Sequence, residues 1–209
     1  MIIAIDGTAA AGKSTLARRI AQAYGLPHLD TGSLYRAVAR DVLDAGHALD
    51  DAKAASEAAA RLDPSTLSDP MLRHKGRGEA ASVVAAIPEV RAALLAFQRS
   101  FAARPGGAVI EGRDIGTVVC PFANAKIFVT ASPESRAARR YKELIGYGVD
   151  ISEETVLREI KDRDKRDSER PISPLKPAED ALLLDTTELD IEKAYAAAIE
   201  LIDKVASRR

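Results

Sequence analysis

The start of this 209-residue chain constrains its fold most. Ile2-Ile3-Ala4-Ile5 is a short apolar run, β-branched at three of its four positions. It reads as a buried parallel strand. It leads through Asp6 into Gly7-Thr8-Ala9-Ala10-Ala11-Gly12-Lys13-Ser14-Thr15, which fits the pattern G-x-x-x-x-G-K-[ST]. A helical pattern follows from about Lys13 to Tyr24, stopped by Gly25 and Pro27. Strand, glycine loop and helix are the context in which this spacing carries meaning. The glycines permit a tight loop whose backbone N–H groups turn inward toward phosphates, and the helix N-terminus adds positive potential there. Lys13 supplies a compact charge for the β- and γ-phosphates. Ser14 supplies a hydroxyl oxygen for Mg²⁺.

That loop implies a nucleoside triphosphate without saying what is done with it. A GTPase would also carry D-x-x-G and N-K-x-D. The nearest candidate, Asn124-Ala125-Lys126-Ile127, has neither the order nor the Asp. A motor ATPase is usually longer, which leaves a small kinase as the default. Composition narrows the classes further. Thirty Lys and Arg against 31 Asp and Glu give a net charge of −1, so bulk charge does not direct the chain to nucleic acid or an anionic membrane. Aromatics are 4% with no Trp, too few for a base-stacking platform. The single cysteine, Cys120, can form neither an internal disulfide nor a cysteine metal site. It is expected to pack. His28, His47 and His74 show no metal-ligand spacing. No stretch reaches the roughly 18 apolar residues of a membrane helix. A cytoplasmic monomer with no nucleic-acid or membrane partner is expected.

The rest of the chain alternates strands with helices, the mark of a doubly wound parallel sheet. Further strands are expected at 26–29, 108–111, 126–130 and 182–185. Helices are expected at 32–45, 51–62, 79–86, 88–103, from Ser132 to about Gly146, from Ser152 to about Glu169, and over 190–207 with Asp190 as N-cap. Asp69 to Gly78 is polar, glycine-containing and locally basic, and reads as a mobile loop. Arg163, Asp167 and Arg170, spaced i, i+4, i+7, share one helix face. Residues 134–170 carry ten basic and ten acidic side chains, which suits a segment that is solvated when open and orders on phosphate. Gly146 and Gly148 are its candidate hinges.

Four segments after the loop carry a family resemblance. Leu29-Asp30-Thr31-Gly32-Ser33-Leu34-Tyr35-Arg36 resembles the D-[TS]-G-x-x-Y-R signature of bacterial cytidylate kinases. Ala80-Ala81-Ser82-Val83-Val84-Ala85-Ala86-Ile87-Pro88-Glu89-Val90-Arg91 is similar to the family's A-A-S-x-V-A-x-x-P-x-V-R segment. Gly112-Arg113-Asp114-Ile115-Gly116-Thr117-Val118-Val119 resembles its G-R-D-x-G-T-V-V motif. Arg163-Asp164-Lys165-Arg166-Asp167-Ser168-Glu169-Arg170 resembles its R-D-x-R-D-x-x-R motif. With the strand and loop before them, and Pro174-Leu175 and Asp185-Thr186-Thr187 after them, these segments stand in the family's order and span residues 3–190.

The resemblance implies an α/β nucleoside-monophosphate (NMP) kinase fold of the P-loop type. That means a five-stranded parallel sheet flanked by helices, with a helical NMP-binding region and a lid. The core would comprise about residues 1–30, 105–133 and 178–209, the NMP-binding region 31–104 and the lid 145–171. It implies transfer of a phosphoryl group from Mg·ATP to CMP or dCMP. It also implies roles. Residues 7–15 would cradle ATP, and Lys13, Arg113, Arg163 and Arg170 would act on the transferred group. Arg36 and Arg113 would hold the CMP phosphate with Thr31 helping, and Tyr35 would line the acceptor pocket. Ser82, Arg91 and Asp114 would read the pyrimidine, while Arg163 and Arg170 close onto phosphates and Asp167 reaches the sugar. Arg136 would pack on adenine, and Arg139 or Arg140 would reach phosphates. Glu111, at the end of its strand, would hold Mg²⁺ through water beside Ser14, and Asp6 would support the loop. Longer relatives carry an insertion with a small antiparallel sheet; residues 63–79 are too few and lack β-branched alternation. Two alternatives stand beside this reading: a small kinase with another acceptor, and a catalytically silent P-loop protein.

Overall fold

The computed structural model describes residues 1–74 and 76–206. Five parallel strands form one sheet: β1 (Ile2–Gly7), β2 (His28–Asp30), β3 (Ala108–Gly112), β4 (Ala125–Thr130) and β5 (Leu182–Asp185), in the order β2-β3-β1-β4-β5. β1 lies in the middle, with Ile3 opposite Val109 on one side and Ala125 on the other. It is buried on both faces, which is why it reads as a continuous apolar run rather than an alternating one.

Alternation still decides which face each side chain serves. Ile3 and Ile5 pack with Val109, Ile127 and Val129 against α1 (Lys13–Ala23) and, near the C-terminus, α8 (Ile191–Ala206). Leu16, Ala17, Ile20 and Ala21 form the buried stripe of α1, at the i, i+1, i+4, i+5 spacing of a 3.6-residue repeat. Each buried Ile or Leu contributes roughly 1.5–3 kcal/mol. On the opposite face Ala4 and Ile110 pack with Phe101, Ile115, Val119 and Cys120. Burial pushes the Cys120 thiol up to about 11, so it serves as a small apolar residue.

The chain between β2 and β3 is helical: α2 (Thr31–Asp44), α3 (Ala52–Ala60), α4 (Arg77–Val84) and α5 (Pro88–Ala102). It has its own apolar cluster, centred on Leu34, Val38, Val84, Val90 and Leu94. A smaller cluster of Ala137, Leu144, Val156 and Ile160 joins α6 (Pro133–Gly146) to α7 (Glu153–Glu169). Helix starts follow local chemistry. Ser132 accepts from Ser135 N–H ahead of Pro133, Ser152 accepts from Thr155 N–H, and Asp190 accepts from Lys193 N–H.

The segment read as a loop differs from that expectation. Asp69 caps a 3₁₀ turn that opens on a proline, Pro70–Arg73, as Asp63 caps Pro64–Ser68 just before it, and α4 takes in Arg77 and Gly78. The second turn buries Leu72 to 1% exposure, so it is anchored to the core by its one aliphatic side chain. Lys75, inside that expected loop, and residue 207 of the expected last helix lie outside the described residues. No single helix among the described residues is long and apolar enough to cross a membrane.

Candidate active site

Every strand ends on the same sheet edge, and open α/β sheets bind ligands outside the carboxyl ends of their strands. β1 ends in the glycine loop. Gly7 has φ of 146°, and a Cβ there would lie 1.8 Å from the Val129 carbonyl oxygen, so only glycine lets the loop leave the sheet. Ala10 and Gly12 also take positive φ, 58° and 88°. A non-glycine residue in that region is held there by its surroundings. Lys13 Nζ donates to the Thr8 carbonyl across the loop at 2.6 Å. Burial pushes the Lys13 ammonium well below its ordinary pKa, Arg113 and Arg163 push it further, and Glu111 opposes them. A nearby anion would push it back up.

Ser14 Oγ donates to Glu111 Oε2 at 2.8 Å, so the two residues assigned to the metal side meet. Glu111 Oε1 lies 2.9 Å from His28 Nε2. Asp6, at the end of β1, accepts from the N–H groups of Ile115 and Gly116, both at 2.7 Å. It therefore supports the turn after β3 rather than the glycine loop. Burial raises its carboxyl to about 6 despite those two donors.

Two networks of side chains line the expected acceptor side. In the first, Asp167 Oδ2 accepts from Arg113 Nε at 3.0 Å and Oδ1 accepts from Ser82 at 2.8 Å, with Arg163 3.8 Å away. Burial opposes the Asp167 charge, but Arg113 and Arg163 with the Ser82 hydrogen bond hold its carboxyl below the ordinary value. In the second, Arg91 pairs with Asp114 and lies over the Tyr35 ring at 5.6 Å, while Arg170 stands 3.9 Å from Asp114. Arg36 donates to Asp30 at 2.6 Å and to Ser33 at 3.1 Å. Thr31 spends its hydroxyl proton on the Glu111 carbonyl at 2.7 Å, so it braces α2 against β3 instead of pointing a donor into the site.

Positive charge exceeds negative here, and some of it has no internal acceptor. Among the described residues, Arg36 Nε, Arg163 Nε and Arg170 Nη2 are buried with no hydrogen-bond partner. Burial lowers Arg163 to about 10, with repulsion from Arg113 and Arg36 adding to it. Buried donors of this kind call for an anion.

Three arginines differ from their expected places. Arg136 is 2% exposed and fully engaged. It grips both carboxylate oxygens of Asp164, at 3.0 and 2.5 Å, and donates to the carbonyls of Ala9 and Ala131. It thus ties the glycine loop to α6 and α7, with no free face turned to an adenine ring. Arg139 donates to Thr186 and to the loop after β5. Arg140 pairs with Glu143 at 2.6 Å on the surface. The sequence reading missed three partners: Asp164 for Arg136, Glu79 for Arg166, and His28 for Glu111. Asp164 lies inside a quoted motif, so it was available. Glu79 and His28 need the packing of α4 on α7 and of β2 on β3 to be found.

A parallel sheet of this order, with a glycine loop and an arginine-rich acceptor side, defines a P-loop kinase of small phosphorylated molecules. The fold has the same overall path as a gluconokinase from Sinorhizobium meliloti, with a TM-score of 0.54 at 14% identity over 99% of this chain and 93% of that one. The cytidylate kinase family model matches residues 3–204. Cytidylate kinase of Methylocella silvestris is 60% identical over 97% of this chain and 94% of its own length. That of Xanthobacter autotrophicus is 62% identical over 97% of each. The chain belongs to the cytidylate kinase family. It is a phosphotransferase of the (d)CMP kinase kind.

Proposed function

We propose that this chain transfers the γ-phosphoryl group of ATP to the phosphate of CMP or dCMP, with the side chains above in named roles. One observation carries the reading. Lys13, Arg36, Arg113, Arg163 and Arg170 converge on one sheet edge, and three of these arginines keep a buried donor that no described residue accepts from. Two polyphosphates meeting in line need that surplus. Lys13 and the loop amides of residues 7–15 bind the donor. Arg36 and Arg113 hold the acceptor phosphate, and Arg163 and Arg170 neutralise the group in flight. The acceptor oxygen is already ionised, so no general base is required; catalysis is positioning and electrostatics.

Ser14 Oγ and the Glu111 carboxylate, 2.8 Å apart, are hard oxygens suited to Mg²⁺. Glu111 would act through water. When bound, the ion supplies charge neutralisation of the donor phosphates. Asp114, Arg91 and Ser82 read the base. A carboxylate accepts from the cytosine amine, and it faces the uracil oxygen without a proton to share. Leaving such a group unpaired costs about 1–3 kcal/mol. Asp167 serves the sugar hydroxyls, and Tyr35 walls the pocket. The division is a core of residues 1–30, 105–133 and 178–209, an acceptor region 31–104 and a lid 145–171. The separate apolar cluster of α2–α5 supports the acceptor region. The enzyme works as a cytoplasmic monomer on small molecules alone.

The test is ADP release with Mg·ATP and a panel of CMP, dCMP, UMP, AMP, GMP and TMP. Turnover led by CMP or dCMP is expected. Turnover led by another acceptor overturns the roles of Ser82, Arg91 and Asp114. Absence of turnover by folded protein overturns the whole reading.

A further inference from the structure

β2 and β3 run side by side with His28 opposite Val109 and Asp30 opposite Glu111. Strand side chains alternate, so His28 and Asp30 share a face, and Glu111 joins them on it. Two carboxylates at paired positions repel unless each has its own partner. Asp30 takes Arg36 at 2.6 Å. Glu111 takes His28: Nε2 lies 2.9 Å from Oε1. A carboxylate oxygen only accepts, so Nε2 carries the proton of this bond.

The remaining Glu111 oxygen, Oε2, accepts from Ser14 Oγ at 2.8 Å, and the Glu111 backbone carbonyl accepts from Thr31. Both carboxylate oxygens are thus oriented, one from each side. This matters because Glu is a long side chain with three rotatable bonds, and a carboxylate serving an ion through water must be held still. With its proton committed to Glu111, the Ser14 hydroxyl keeps its lone pairs for a cation.

We propose that His28 is a positioning residue. It fixes the Glu111 carboxylate and thereby sets how tightly the Ser14–Glu111 pair engages Mg²⁺. The inference rests on the reading of Ser14 and Glu111 as the magnesium side of the site.

The test is calorimetric binding of ADP to the intact protein in EDTA and over a Mg²⁺ series. It compares wild type, His28→Leu, His28→Gln, Glu111→Gln and the His28→Leu/Glu111→Gln double variant. Loss of an outer-shell partner costs about 10- to 100-fold in metal affinity. His28→Leu should therefore need about 10-fold more Mg²⁺ to tighten ADP, while its ADP affinity in EDTA stays within about 2-fold. His28→Gln, which keeps a donor at similar reach, should restore the Mg²⁺ requirement to within about 3-fold. Once Glu111 has lost its charge, His28→Leu should add less than about 2-fold. Should the leucine prevent folding, His28→Ala takes its place. A wild-type Mg²⁺ requirement in His28→Leu, with Glu111→Gln impaired, overturns the role of His28 alone. Equal weakening of ADP with and without Mg²⁺ makes His28 merely structural and also overturns it. An unchanged Mg²⁺ requirement in Glu111→Gln overturns the magnesium reading itself.

Discussion

Replacing Gly78 with alanine should separate stability from turnover. Gly78 lies in the first turn of α4, where the backbone is helical and alanine is the better helix former by up to about 1 kcal/mol. For a chain of this size that gain is about 2–4 °C in Tm. The space tells a different story. A Cβ at position 78 would lie 2.7 Å from Arg163 Nη1 and 3.6 Å from its Cζ. Reaching ordinary contact near 3.4 Å requires the guanidinium tip to retreat by about 0.7 Å. That retreat is cheap in folding energy, because the tip of a long side chain gives way more easily than backbone. It is expensive for catalysis, because a misplacement near 1 Å costs up to about 10²-fold. Gly78→Ala should therefore melt no lower than wild type while kcat with CMP falls about 10- to 100-fold. Thermal melts and a coupled ADP-release assay read both. Unchanged kcat at equal or higher Tm would mean that Arg163 does not act from this position. A Tm several degrees lower would mean that the Arg163 tip is not free to yield.

Lys13→Ala should lower kcat by roughly 10³-fold, since on the proposed reading Lys13 binds the transferred group; near-normal turnover refutes its role. Asp114→Asn should narrow the CMP-to-UMP ratio in kcat/KM and leave ATP affinity nearly unchanged. The amide is preferred to alanine because truncation would strand the buried Arg91 guanidinium. Asp6 predicts a pH effect. Its folded pKa of about 6 lies above the ordinary 3.8, so its contribution is full below about pH 4 and is lost as pH rises through 6. The difference in unfolding free energy between wild type and Asp6→Asn should fall by at most about 3 kcal/mol between pH 4 and 6. A flat or rising difference in chemical denaturation would show that the ionised carboxylate is the preferred native form.

The sheet and its loop were legible because their signals are local. Ile2–Gly7 and the glycine spacing specify strand, turn and helix within about twenty residues. The last helix starts at its named cap for the same reason. The acceptor side was legible only in part. Ser82 and Asp167 were assigned to different parts of the nucleotide, yet they share a hydrogen bond that no spacing predicts, because α4 and α7 are 69 or more positions apart. Arg136 is expected on adenine from the resemblance alone, and nothing local to it in the sequence marks it as buried. Its burial depends on Asp164 arriving from another helix. Leu72 stands in a segment that is mostly polar, though one aliphatic side chain inside a proline turn is enough to tie it down.

The central place of β1 has a consequence for how the chain is made. Its partners begin at Ala108 and Ala125, more than a hundred residues downstream. At a synthesis rate of roughly 5–20 residues per second, the first strand waits about 5–20 s on the ribosome before β3 exists. The helices between them need no such delay, since their cluster from Leu34 to Leu94 closes on itself. Assembly during translation thus departs from chain order, since the first strand pairs after the insert that follows it is complete. The insert has what it needs to condense early, while Ile2 to Ile5 stay an unpaired apolar segment until β3 is made.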